Sequence, residues 1–156
     1  MVKKQPSSRS CFVCGRENDA GLRTRWVEDD TAGEARATVV LEECFHGFPG
    51  LVHGGIVTAL LDEAMVRALL LEGTFDDLMV TARMEITFRR ATPTGQPLTV
   101  VGRIAKRTAS RANAEAEVRL ADGTVAARAE GLLLRQPPEV ARAWAEERAH
   151  WRVDDD

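Results

Sequence analysis

The sequence has no excess of positive charge, no long unbroken apolar run and few cysteines, and each shortfall removes a class of protein. Lys and Arg number 21 against 24 Asp and Glu, a formal net charge of −3, so no global positive field draws the chain to nucleic acid. The longest apolar stretch, residues 56–71, is interrupted by Asp62, Glu63 and Arg67 and is not a membrane span. The first eight residues carry Lys3 and Lys4 with no apolar segment after them, which argues against secretion and sets the expectation of a cytoplasmic protein. Three cysteines, an odd number, are read there as reduced thiols. No internal repeat or linker is visible. What is present is ordinary: 156 residues, 44% hydrophobic and 29% charged. That is one domain, residues 1–156, long enough to bury roughly 70% of its unfolded surface.

Period-2 alternation marks most of the chain as strands. Residues 22–41 read as a hairpin about the turn Asp29-Asp30-Thr31-Ala32-Gly33, its second arm setting Ala35, Ala37, Val39 and Leu41 against Glu34, Arg36, Thr38 and Val40. Strands are predicted again over 79–89, 98–106, 112–120 and 125–134, the last two joined by an Asp122-Gly123 turn. Between the hairpin and these strands lie a glycine-rich loop, 42–53, and one helix over 54–71. That helix is apolar around nearly its whole circumference, as a rod buried on most sides requires. An amphipathic helix over about 139–151, packing through Val140, Ala143, Trp144 and Trp151, is expected after Pro137 and Pro138, with the last three aspartates frayed. The order excludes βαβ alternation and points to an α+β fold in which an antiparallel sheet of five to six strands curls around one long helix. The core spans about 22–135, with residues 1–21 as an N-terminal arm.

The helix carries the chemistry. Glu63 stands four residues before Arg67, the favourable orientation for an ion pair, whereas Asp62 has only Thr58, Ala59, Met65 and Val66 at helical spacing. A carboxylate in an apolar sector is either bonded to a loop backbone or kept for a task. At the other end, His53-Gly54-Gly55 opens the helix. Two glycines in a first turn let a ligand oxygen approach unpaired N–H groups at the positive end of the dipole, an oxyanion-binding arrangement, or they serve a tight corner. His53 caps the helix, orients the loop or polarises a carbonyl. Gly54 and Asp62 are roughly 12 Å apart along the axis, too far to act on one bond. Joint action therefore needs a second chain with its helix antiparallel, a two-fold dimer with shared sites.

The run His53-Gly54-Gly55-Ile56-Val57-Thr58-Ala59-Leu60-Leu61-Asp62-Glu63-Ala64 resembles the helix motif of the hotdog-fold acyl-CoA thioesterases of the phenylacetate and 4-hydroxybenzoyl type. The likeness extends over about 11–135. It takes in Cys11-Phe12-Val13-Cys14-Gly15, Asn18, Gly21-Leu22, Phe48-Pro49-Gly50 and Val80-Thr81-Ala82-Arg83. It implies hydrolysis of an acyl-CoA thioester without a cofactor in a homodimer or tetramer. Gly54 and Gly55 would hold the thioester oxygen, Asp62 would serve as base or nucleophile, and Thr81 would help to hold the attacking water. Family members often carry Asn or Gln where this chain has Gly47, and the adjacent His46 is the candidate to replace it.

Coenzyme A needs a cationic rim, for which Arg89, Lys106, Arg107 and Arg111 are candidates; the same charges also suit strand ends that must not pair. Arg103 and Arg90 lie in the same stretches. Cys11-x-x-Cys14 has no βαβ context for a redox role, and a four-ligand zinc set would have to recruit Cys44 and His46, so no metal is expected. Two rivals remain: a hotdog hydratase or dehydratase pairing His46 or His53 with an acid, and a non-catalytic acyl-CoA-binding module.

Overall fold

The computed structural model describes residues 2–154. A seven-stranded sheet, antiparallel throughout, is built in the order β1-β2-β3-β7-β8-β9-β6. The strands are β1 (Val2–Lys4), β2 (Trp26–Asp29), β3 (Glu34–Val40), β6 (Val80–Phe88), β7 (Pro97–Arg107), β8 (Arg111–Arg119) and β9 (Val125–Leu134). A separate two-stranded hairpin, β4 (His46–Phe48) with β5 (Leu51–Val52), shapes the glycine-rich loop. Helix α1 (Gly54–Arg67) lies in the concave face, as the apolar circumference predicts, and no described helix is long and apolar enough to cross a membrane.

The concave face is lined with alanine: Ala35, Ala37, Ala112, Ala114, Ala116, Ala127 and Ala129 are all buried. Small side chains let the sheet bend close around the rod. Two glycines take this to its limit. A Cβ on Gly102 of β7 would fall 2.0 Å from the Ala64 carbonyl oxygen, and one on Gly131 of β9 would fall 2.7 Å from the Met65 sulfur. Leu60, Leu61, Ala64 and Met65 are thereby sealed from solvent, each of the three larger ones contributing about 1.5–3 kcal/mol on burial.

Local chemistry closes the turns. The Asp29 carboxylate accepts the Thr31 and Ala32 N–H groups, and Gly33 takes φ 62°, so β2 and β3 pair as expected. Asp122 accepts the Thr124 N–H and Gly123 takes φ 85°, which closes β8 on β9.

The structure adds to or corrects the sequence reading at four places. A seventh strand, β1, pairs with β2 from within the presumed arm, and Val13 and Cys14 of that arm are core residues. The long helix is α-helical only to Arg67 and tightens to a 3-10 turn over Ala68–Glu72. The C-terminal helix is a short α2 (Pro138–Ala143) followed by 3-10 turns over Ala145–His150, with Ala143 exposed rather than packed. Asp154 does not fray: it pairs with Arg16 and Arg25 and ties the tail to the arm. The other two terminal aspartates lie outside the described residues.

Candidate active site

Asp62 sits at mid-helix on the side of α1 that faces β6. Thr81, at the start of β6, points inward and donates its hydroxyl to Asp62 Oδ1 at 2.5 Å. A bulge between Thr81 and Arg83 resets the strand register just beyond this contact. The carboxylate is half-buried and makes no ion pair among the described residues, whereas its neighbour Glu63 binds Arg67 with Oε1 2.7 Å from Nε, as the spacing predicts. Two adjacent acids thus have different fates: one is neutralised by a fixed guanidinium, the other is held by a hydroxyl that leaves its second oxygen without a partner among the described residues.

The tip of α1 gathers His53, Gly54, Gly55 and Gly47. His53 is the N-cap, its Nδ1 accepting the Gly55 N–H at 2.8 Å, so the imidazole occupies one of the two amides at the tip. The Ile56 and Val57 N–H groups turn back to the His53 carbonyl. Gly54 is exposed, and its N–H has no partner among the described residues. Gly47 packs under the cap: a Cβ there would lie 3.1 Å from His53 Cα and 3.2 Å from its ring. The departure from Asn or Gln at this position is therefore a close approach of the β4 backbone to the capping histidine. His46 faces away toward Glu43, Nδ1 to Oε1 3.3 Å. Glu43 in turn accepts the Thr94 hydroxyl and the Gly50 N–H, which hold its carboxyl below the usual range and tie the loop to the β6–β7 turn.

A cleft of about 360 Å³ opens at this tip, lined by Phe48, Leu51, Gly54, Val57, Phe88 and Arg89 among others. Phe48 is 75% exposed and Phe88 55% exposed. Sequence reasoning missed this apolar mouth: Phe88 sits at an inward position of β6, yet the strand runs past the helix tip and none of the described residues covers its end. Arg89 lines the cleft, as a rim cation would.

The other cations lie elsewhere. Lys106 and Arg107 line a second cleft of about 480 Å³ near the C-terminal end of α1. Arg107 reaches the Leu69 carbonyl and binds Asp77, Nη2 to Oδ1 2.8 Å. Asp77 is held below the usual carboxylate range by the Thr74 N–H and hydroxyl and by Arg107 and Arg135. Arg111 starts β8 at the exposed turn. This group is roughly 20 Å along the helix from Gly54 of the same chain. Arg103 is engaged by Glu34.

The four-ligand set of Cys11, Cys14, Cys44 and His46 does not assemble, because Cys44 is exposed and His46 pairs with Glu43. Cys11 and Cys14 meet Glu63 instead. The Cys14 side chain and the backbone N–H groups of the turn bring the Cys11 thiol down to about 7, and the bond with Cys11 and burial push the Cys14 thiol up.

The sequence profile described as the thioesterase superfamily matches residues 49–127. A crystal structure of a thioesterase superfamily protein shares 31% identity at a TM-score of 0.74, covering 81% of this chain; the chain spans 60% of that relative's length. The PaaI protein from the phenylacetic acid degradation operon of E. coli shares the fold at 19% identity, TM-score 0.65, covering 74% of this chain and 81% of that one. A Streptococcus mutans protein solved with acetyl-CoA bound does so at 18% identity, TM-score 0.60, covering 67% of this chain and 85% of that one. No curated protein sequence matches. The curled sheet around a single rod is the hotdog fold, and the chain belongs to the thioesterase superfamily.

Proposed function

We propose that the protein hydrolyses an acyl-CoA thioester to the free acid and CoA, as a two-fold dimer in which Asp62 of one chain works with Gly54 of the other. The observation that carries this is the Asp62–Thr81 pair: a half-buried carboxylate with one oxygen held by a hydroxyl and the other without a partner among the described residues. Such a group is oriented yet able to take a proton from water or to attack a carbonyl. As base, Asp62 removes a proton from water while the hydroxide adds to the thioester carbon. The C–S bond then breaks, and the proton passes to the departing thiolate.

The developing oxyanion needs an N–H donor within about 3 Å. With Gly55 engaged by His53, the free donor of the tip is Gly54, and Phe48, Leu51 and Phe88 offer the acyl group an apolar wall. The length of α1 between Gly54 and Asp62 supports a site whose two parts come from different chains. The outer edge of β6, nine residues long and paired among the described residues only with β9, supports assembly of a second copy, since an open edge of this length invites pairing. An antiparallel partner helix would also bring the Lys106, Arg107 and Arg111 end of one chain toward the cleft of the other, where Arg89 already stands.

Release of free thiol from benzoyl-CoA and from aliphatic acyl-CoA esters tests the reading. Asp62→Asn is expected to lower kcat by roughly 10³-fold. Thr81→Val, which removes one hydrogen bond to a charged group, lowers it about 10- to 100-fold, and Thr81→Ser restores it. Equal turnover by wild type and Asp62→Asn sinks the mechanism. Tight binding with no thiol released by wild type would make the protein a binding module, and loss of enoyl absorbance from crotonyl-CoA would make it a hydratase.

A further inference from the structure

We propose that Cys11, Cys14 and Glu63 form a binding site for a divalent cation of the Zn(II) type, which pins the N-terminal arm to α1 independently of the thioester chemistry. The two sulfurs and a Glu63 carboxylate oxygen all lie within 4.8 Å of one another. Two ligands of one tetrahedral zinc, at about 2.3 Å for sulfur and 2.0–2.2 Å for oxygen, stand roughly 3.5–3.8 Å apart. Cys11 Sγ and Glu63 Oε2 are 3.8 Å apart. That pair is thus already at coordination spacing, and the third ligand needs to close in by no more than about 1 Å, with one side chain from the helix and two from a turn that is remote in sequence.

The turn itself is shaped for a thiolate. The Val13 N–H donates to Cys11 Sγ at 3.3 Å, a bond that favours the anionic sulfur a metal requires. The Gly15 N–H closes the turn onto the Cys11 carbonyl at 2.8 Å, and a Cβ on Gly15 would fall 2.4 Å from that oxygen, so the geometry demands glycine directly after the second cysteine.

The outer partners point the same way. Glu63 Oε1 is oriented by Arg67, which leaves Oε2 toward Cys11. Arg67 is 1% exposed, and its Nη2 is buried with no acceptor, although Cys14 lies within its electrostatic reach. Trp151, stacked on the same guanidinium at 4.8 Å, buries its Nε1 without an acceptor as well. A neutral thiol is a poor acceptor, whereas a metal-bound thiolate is a good one, so loading the site would give Arg67 Nη2 an acceptor beside the Glu63 and Pro6 bonds its other nitrogens already make. Charge selects the ion. Two thiolates and one carboxylate against Arg67 sum to −2, which a divalent cation cancels. Thiolate ligands favour Zn(II) over Mg(II) or Ca(II), and half-exposed Cys11 leaves the fourth position to solvent. A Cys11–Cys14 disulfide would explain neither the facing carboxylate nor the unpaired Nη2.

The full chain, reduced and freed of metal, is titrated with Zn(II) against a chromophoric chelator and with Co(II) for sulfur-to-metal charge transfer. Wild type and Cys44→Ser are expected to bind one equivalent with the charge-transfer band, and Zn(II) raises Tm. Cys11→Ser and Cys14→Ser lose affinity by at least about 100-fold, and Glu63→Gln by at least about 10-fold, since even outer partners cost that much. Should Cys14→Ser or Glu63→Gln fail to fold, half-exposed Cys11 decides the matter. No uptake by wild type, uptake indifferent to Cys11→Ser, or a Cys44→Ser protein that before reduction holds no metal and is two hydrogens lighter by intact mass would overturn the site, the last making Cys11 and Cys14 a disulfide.

Discussion

Proline at position 54 isolates one N–H group. Gly54 is the first residue of α1, where proline is favoured because that N–H has no intrahelical acceptor. The preceding residue, His53, has φ −58° and ψ 134°, the extended conformation that a following proline requires. A Cβ at 54 would meet only the Phe88 ring, at 3.7 Å. Gly54→Pro should therefore fold as wild type does, and the loss of unfolded-state freedom should stabilise it by about 0.4–1 kcal/mol. In a chain of this size that raises Tm by roughly 1–4 °C. The same substitution removes the amide assigned to the oxyanion. Loss of one such donor costs about 10²–10³ in kcat, or about 2.7–4 kcal/mol of barrier. Gly54→Ala keeps the N–H and is the control. Thiol release at saturating acyl-CoA measures kcat, and circular dichroism measures Tm. A Gly54→Pro protein whose Tm is at least that of wild type and whose kcat is within about threefold of it would refute the role of this amide.

Two further outcomes follow from the packing and the charges. Gly102→Ala places a Cβ 2.0 Å from the Ala64 carbonyl, and since neither backbone can yield, overpacking should cost about 3 kcal/mol or more and lower Tm by at least roughly 6–12 °C. The Asp77 carboxyl titrates below its unfolded value, so its contribution is present above the unfolded pKa and is lost as pH falls through the folded one. Asp77→Asn should accordingly lower Tm near neutrality, with the gap from wild type closing below roughly pH 4; a gap independent of pH would count against the Thr74 and Arg107 contacts as its source.

Six strands and the helix were legible because alternation and an apolar circumference are periodic signals that survive in a single chain. β1 was not, because three exposed residues carry no period. Nor could spacing reveal that Gly102 and Gly131 lie under α1, since glycine in a strand marks a close approach without naming what approaches. At the site, His53-Gly54-Gly55 and Asp62 stood out, but the division of labour between the two amides did not. It depends on the rotamer by which His53 Nδ1 takes the Gly55 N–H. Thr81 was noted only through resemblance; its direct bond to Asp62 depends on β6 lying beside β9 rather than beside its neighbour in sequence, β7. The cations at 106, 107 and 111 read as one rim with Arg89. β7 is eleven residues long, and its far end carries them to the opposite end of the rod. Glu63 was paired with Arg67 from its spacing, while its second oxygen and the cysteine turn met only through the folding of the arm.

The central claim is that each reaction centre is completed across a two-fold axis. Asp62→Asn and Gly54→Pro chains, each inactive alone, can be unfolded, mixed in equal amounts and refolded together. Shared sites predict that mixed dimers, half of the total, each regain one intact centre, restoring about a quarter of wild-type thiol release. If Asp62 and Gly54 of the same chain served one centre, or if the protein were a monomer, the mixture would stay as inactive as its parents.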